Sequence, residues 1–257
     1  MVVIDRGNLK QYAKQAVRRT VGEPYVGKRL KLRRLPKAMA GLSTPSAVLD
    51  AGAEDATFVY WLADRYPRAS VTAVDIDAAT IAACVAARPA RYADRVHFRV
   101  SYFSDLEPES FALITAFDVL EHIEDDLGAA RDLFRALRPG GTMLVHVPRD
   151  RWLTRDGTVH RVSDEDAWQV NPGHVRSGYS PDGLRSLLTE AGFQVLGVET
   201  WVGRWGTLAH SVYERLEHPV PLRALSIPVT DACAWLDARR PDMDGNTVFA
   251  RAVKPVD

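Results

Sequence analysis

Short apolar runs and longer amphipathic stretches take turns along most of this chain. The apolar runs fall at 46–50, 70–75, 96–100 (VHFRV), 111–117 (FALITAF), 142–147 (TMLVHV), 193–201 (FQVLGVETW) and 246–253 (NTVFARAV). Their length, and the Val, Ile and Phe they carry, predict strands. Helical spacing fills the gaps. Phe58, Leu62 and Ala63 share one face after the first run, and an Ala-rich helix over 78–90 is stopped by Pro89. Further helices are predicted over 126–137, 180–191, 207–217 and 229–239. The helix at 180 opens on Ser180-Pro181, a capping hydroxyl followed by a first-turn proline, and closes at Gly192. Ahead of the first strand, 5–20 reads as a basic amphipathic helix with Leu9, Tyr12, Ala13, Ala16 and Val17 inward, and 25–41 as a second short helix. Strands alternating with helices predict an α/β fold built on a mostly parallel sheet, its last pair hairpin-like.

The stretch Val48–Asp77 organises the rest. It reads strand, small-residue turn, helix, strand, the size of one crossover unit, which makes its two strands parallel neighbours. The turn Asp50-Ala51-Gly52-Ala53 and the carboxylate of Asp75 then share the carboxyl edge of the sheet, where open α/β folds bind ligands. Gly52 lets backbone approach a ligand closely, and Asp75 suits the two hydroxyls of a ribose. Glu54 and Ala56 occupy positions where a pyrophosphate would need glycine, so the unit fits a nucleoside better than a dinucleotide.

Composition is that of an ordinary globular protein, 46% hydrophobic and 26% charged with zero net charge. The charge is unevenly spread: residues 1–45 hold 11 Lys or Arg against two acids, and the remainder 22 against 31. We therefore expect a basic helical cap over 1–45 and one large domain over 46–257. Within that domain, 148–178 is a long polar insertion rich in Arg, Asp, His and Trp, of the kind that serves as a lid. Cys84 and Cys233, with no secretion signal, suggest reduced thiols and a cytoplasmic protein. No apolar run reaches the roughly 18 residues of a membrane span.

The succession VLDAGAEDA, VTAVDID, FDVLEHI, LRPGGTMLVHVP and YSPDGLRSLLTEAGF resembles the class I S-adenosylmethionine-dependent methyltransferases over roughly 46–201. The resemblance implies a Rossmann-like, seven-stranded sheet of order 3-2-1-4-5-7-6, strand seven antiparallel, with helices on both faces. It implies S-adenosylmethionine as cofactor. It places Asp50 and Gly52 beside the methionine part, Asp75 on the ribose, Ile76 on the adenine and Phe103 in the loop closing over it. Asp118 to His122, including Glu121, would line the floor. The chain departs from the family pattern at Glu54 and Ala56 for glycine, and at Tyr102 and Ala112 for acids.

Methyl transfer from a sulfonium needs an aligned nucleophile, exclusion of water and, for a hydroxyl of high pKa, a base. His174, in HVRSGYS, and His122 are the candidates for that base; His146, inside a strand, reads as a core histidine. Arg149, Arg176 and Tyr179 are candidates for holding the acceptor, the arginines through their planar forks. No metal pattern is visible, because the histidines are not spaced with acids or cysteines as ligands. The resulting reading is methylation of a small polar acceptor, an oxygen of a sugar, glycoside or other secondary metabolite. A methyltransferase-like protein that binds a ligand or catalyses another reaction is the alternative. No nucleic-acid module and no membrane partner is indicated, and a homodimer is left open.

Overall fold

The computed structural model describes residues 23–154, 158–161, 163, 173–215, 220–239 and 244–256. In chain order its strands are β1 (Ala47–Ala51), β2 (Ser70–Asp75), β3 (Val96–Val100), β4 (Phe111–Phe117), β5 (Leu137–Pro148), β6 (Arg151–Leu153), β7 (Val159–Arg161), β8 (Gln194–Trp201) and β9 (Thr247–Val253). Seven of them form one sheet in the order β3-β2-β1-β4-β5-β9-β8, while β6 and β7 pair apart as an antiparallel ribbon. With the ribbon left out of the count, this is the order 3-2-1-4-5-7-6 that the sequence implies.

The pairings of β1 with β2 and β4, of β2 with β3 and of β4 with β5 are parallel. The cause is legible in the residues: Val48, Leu49, Val71, Ala73, Val74, Ile114 and Met143 to Val145 are all fully buried, the continuous apolar run of a strand covered on both faces. Among the described residues, seven α-helices accompany the strands: α1 (Val26–Ala38), α2 (Thr57–Arg65), α3 (Ala78–Ala86), α4 (Asp126–Ala136), α5 (Pro181–Glu190), α6 (Arg204–Arg215) and α7 (Val220–Arg239). Leu133 of α4 and Leu184 and Leu188 of α5 close on Leu49, Ile114, Val145 and Val248 in one core. Each such side chain contributes about 1.5–3 kcal/mol by leaving water.

Helix starts are set by side chains. Asp77 accepts from the amides of Ala79 and Thr80, Asp125 from that of Gly128, and Ser180 from that of Gly183. These oxygens take up amides that the first helical turn leaves without a partner.

Several boundaries differ from expectation: the helix expected over 78–90 ends at Ala86 and that expected over 207–217 spans Arg204–Arg215. The turn expected at Pro139-Gly140-Gly141 lies inside β5, whose register against β4 shifts between Phe111 and Leu113; Gly140, at φ +75°, accommodates the irregularity and donates to the Lys254 carbonyl. The helix expected at 229–239 begins at Val220 and continues through Pro228. The short helix expected over 25–41 ends at Ala38, where the Met39 amide bonds back to the Leu35 carbonyl and the Ala40 amide to that of Lys37. The helix expected over 5–20 lies outside the described residues.

The described residues fall into two units. One takes those before Leu42, those within 151–162 and those of 200–247; the other takes 42–150, 163–199 and those from Val248 onward. In the first unit the basic side chains of α1 turn inward: Lys28, Arg29, Lys31 and Arg34 are each no more than 9% exposed. Arg34 pairs with Asp237 of α7 at 2.8 Å and also reaches its carbonyl at 2.6 Å, while Arg33 pairs with Asp231. Opposite charges on α7 thus satisfy part of the amino-terminal surplus. The second unit holds the body of the sheet and the residues of the candidate site.

Candidate functional site

β1 and β2 end in register, Ala51 beside Val74, so the residues just past them meet. The amides of Gly52 and Ala53 both donate to the Val74 carbonyl, at 2.9 and 3.0 Å. Gly52 sits at φ +89°, and a Cβ there would lie 2.6 Å from Cγ2 of Val119, so the turn fits against the loop after β4 only without a side chain. Asp75 closes the same edge. Its Oδ1 accepts from the Asp77 amide at 3.0 Å and its Oδ2 from the Glu54 amide at 3.4 Å, which fixes the carboxylate at the rim.

A cleft of about 910 Å³ opens here, with Gly52, Asp75, Ile76, Phe103, Asp118 and His122 in its lining. Ile76 and Tyr102 flank it with 68% and 66% of their surface in solvent, an apolar area that a planar ring would cover. The lining is strongly one-signed: it includes Glu54, Asp75, Asp118, Glu124, Asp125 and Asp132 and, among the described residues, no Lys or Arg. Such a cleft attracts a cation and repels a pyrophosphate.

Asp50 is placed differently. It is 2% exposed and outside the cleft lining, and its Oδ1 accepts from the hydroxyl of its cross-strand neighbour Thr115 at 2.6 Å. Asp118 takes a left-handed backbone, φ +55°, which turns its carboxylate onto Nδ1 of His146 at 2.7 Å. His146 is 1% exposed, in keeping with the core role expected for it.

The loop after β4 is stitched to the segment that precedes α5. The Val175 amide donates to the Glu121 carbonyl at 2.9 Å, and His122 Nδ1 lies 2.8 Å from the Gly173 carbonyl. Arg176 clamps the same loop: Nη1 donates to the carbonyls of Leu120 at 2.6 Å and Ile123 at 2.7 Å, and Nη2 to that of Glu124 at 3.0 Å. It also pairs with Asp126 at 3.3 Å. Tyr179 adds hydroxyl bonds to the Leu120 carbonyl and to Asp126 at 3.2 and 2.7 Å; burial, then the Asp126 bond, pushes its phenol pKa well up. These contacts bring the His122 and His174 rings to 4.7 Å, edge to face. Desolvation, and next the charge of His122, lowers the pKa of His174, so its imidazole is neutral at neutral pH.

The fold therefore gathers Gly52, Asp75, Ile76, Phe103, Asp118 and His122 on one cleft, with His174 against His122. Arg176 and Tyr179, expected to face an acceptor, direct their polar atoms to backbone carbonyls and Asp126, and neither lines the cleft. Arg149 is 7% exposed and its backbone bridges Tyr179, also outside the lining. Phe117 and the acids Glu124, Asp125 and Asp132 were not anticipated in the lining, whereas Val119 falls within the expected floor. Their signal was weak, since acids that start or line a helix read equally well as solvated charges.

A family model described as a methyltransferase domain matches residues 25–198. A Mycolicibacterium smegmatis protein named "Probable S-adenosylmethionine-dependent methyltransferase" is 32% identical over 152 residues, which cover 58% of this chain and 52% of that protein. A trans-aconitate 2-methyltransferase of Variovorax paradoxus is 27% identical over 63% of this chain and 60% of its own length. The chain spans between 25% and 60% of the length of the curated relatives it matches. Among solved structures, phosphoethanolamine N-methyltransferase 2 of Haemonchus contortus shares the fold, with a TM-score of 0.63 at 20% identity over 98% of this chain and 59% of that one.

Proposed function

This chain belongs to the methyltransferase-domain family, and from that premise we propose that it transfers a methyl group from S-adenosylmethionine to a small polar acceptor, an oxygen of a sugar, glycoside or related metabolite. The observation that carries the reading is the cleft itself, where Gly52, Asp75 and a lining whose only described full charges are acidic share one edge of the sheet. When bound, S-adenosylmethionine supplies a methyl already activated on a positive sulfonium.

The residues present fit such a ligand. Asp75 stands at the rim with its carboxylate fixed by two amides, where it would hold the ribose hydroxyls. Ile76, Tyr102 and Phe103 offer the apolar surface for the adenine. The acids, Asp118 foremost, favour the positive charge over the neutral product, which assists release. Asp50 acts from outside the lining, holding the end of β1 through Thr115.

At the other end, His174 would accept the proton of the acceptor hydroxyl, a role its lowered pKa permits at neutral pH, with His122 beside it. Arg176 and Tyr179 position this pair by holding the loop that carries it. The acidic lining leads us to favour neutral or cationic acceptors over polyanions.

The test is incubation with S-adenosylmethionine labelled in its methyl group and with acceptors grouped as polyols and glycosides, phenols, amines and carboxylates. Label entering the first group, with turnover about 10²–10⁴-fold lower in His174→Ala, supports the proposal. Label appearing only in amines or carboxylates overturns the oxygen-acceptor assignment. Binding of the cofactor without transfer to any group favours the ligand-binding alternative.

A further inference from the structure

The two histidines at the acceptor end have a third companion. One ligand atom from each of Glu121, His122 and His174 lies within 4.8 Å of the others. We propose that these three side chains form a binding site for a divalent transition-metal cation, opening on the cleft.

Two imidazoles and one carboxylate suit Mn²⁺, Fe²⁺, Co²⁺ or Zn²⁺, and a protein that supplies only three ligands leaves positions open for another molecule. The graded burial fits that division. Glu121 is 1% exposed and lies behind the cleft lining, His174 is half-buried, and His122 is exposed and lines the cleft. The outer contacts fit as well. A metal-binding histidine commonly donates its second ring nitrogen to a carbonyl, which fixes its tautomer and orientation. Here Nδ1 of His122 faces the Gly173 carbonyl at 2.8 Å, and when it donates there the lone pair is left on Nε2. The Val175–Glu121 backbone bond and the Arg176 clamp hold the two ligand segments at fixed separation before any ion arrives. Asp126, paired with Arg176 at 3.3 Å, offsets that guanidinium's charge. Metal bonds of about 2.0–2.2 Å bring neighbouring ligand atoms closer than 4.8 Å, so modest side-chain rotation completes the site. The sequence reading found no ligand spacing because His174 lies a whole insertion away from Glu121 and His122; only the fold unites them.

The open positions face the space assigned to the acceptor. On the methyl-transfer reading, which this part rests on, the cation would hold a chelating oxygen acceptor such as a vicinal diol or hydroxy acid and lower its hydroxyl pKa, a task that falls to His174 as base only while no ion occupies its lone pair. The cation site itself does not depend on that reading.

The test uses the full chain, stripped with chelator, dialysed and titrated with Co²⁺ or Mn²⁺ alone. Visible Co²⁺ absorption and the loss of the free Mn²⁺ resonance report binding. We expect one ion per chain, and an affinity at least about tenfold lower in His122→Ala and in His174→Ala. Glu121→Gln is a third variant; because Glu121 is buried, His122→Ala, at an exposed position, carries the test if that one fails to fold. S-adenosylhomocysteine affinity of the unaltered chain is measured in parallel. No binding by folded protein at millimolar metal overturns the inference, as does undiminished binding in a His122→Ala/His174→Ala double variant. S-adenosylhomocysteine binding without metal binding removes the cation and leaves the methyl-transfer reading standing. Metal binding without S-adenosylhomocysteine binding does the reverse.

Discussion

Replacing Arg176 by alanine should cost more than any other single change at the acceptor end. The guanidinium donates to three carbonyls, those of Leu120, Ile123 and Glu124, at 2.6, 2.7 and 3.0 Å, and to the Tyr179 hydroxyl at 3.0 Å. It also faces Asp126 at 3.3 Å with its side chain 19% exposed. A bond to a charged group is worth about 1.5–3 kcal/mol net, but these share one side chain and are not additive, and water can enter the vacated space. The Leu120 carbonyl keeps the Tyr179 hydroxyl. The expected loss is therefore about 2–4 kcal/mol, read by urea unfolding, with a fall in melting temperature of about 2–4 °C for each kcal/mol. Arg176→Lys should recover little, since one ammonium cannot span carbonyls that a planar fork reaches together. Because the clamp carries His122 and His174, turnover at saturating cofactor should fall while S-adenosylhomocysteine affinity changes little. A stability loss below about 0.5 kcal/mol with unchanged turnover would refute the positioning role and make Arg176 an ordinary surface residue.

Gly52→Ala should lower stability by about 1–3 kcal/mol, because φ +89° disfavours a side chain and the new Cβ meets Val119; Gly52→Ala/Val119→Ala should recover only the clash, which calorimetry can separate. Glu54→Gly should weaken S-adenosylmethionine by no more than about fivefold, the weight of one exposed charge, and S-adenosylhomocysteine by less; an equal and large loss for both in titration would show Glu54 to be a direct ligand. Burial, and secondarily Lys31, lowers the pKa of His210 to about 4 from 6.5. Between those values the unfolded chain binds a proton that the folded chain refuses. Stability is thus intact above pH 6.5 and falls as pH drops toward 4, by up to about 3 kcal/mol, and His210→Phe should flatten that slope in unfolding measured across pH.

The crossover from β1 to β2 could be read from the chain because it is local: an apolar run, a turn with glycine at the position that needs it, and an acid where the next strand ends. Helix starts at Asp77, Asp125 and Ser180 were equally local, each a side chain serving its own first turn. What escaped was long-range. Nothing near Arg176 announces that it serves carbonyls of the loop after β4, and an arginine in a polar insertion reads as readily as a substrate fork. Asp118 and His146 find each other only because β4 and β5 are neighbours, Phe117 lying beside His146. The basic run of α1 carries no sign in the sequence of its partners Asp231 and Asp237, which α7 supplies about 200 residues later. The Glu121, His122 and His174 grouping is the sharpest case, since it depends on a returning segment whose register no periodicity encodes.

The central claim is that the acid-lined cleft between Gly52 and Asp75 takes S-adenosylmethionine, and titration calorimetry with S-adenosylhomocysteine on the full chain and on Asp75→Ala tests it most directly. The account predicts saturable binding at one site per chain, weakened in Asp75→Ala by about 1.5–3 kcal/mol, or roughly 10- to 150-fold, as a charge-assisted bond to the ribose is lost. It also predicts no measurable binding of a pyrophosphate dinucleotide to the same cleft. No heat from folded protein at millimolar S-adenosylhomocysteine, or equal affinity in the two proteins, would contradict it.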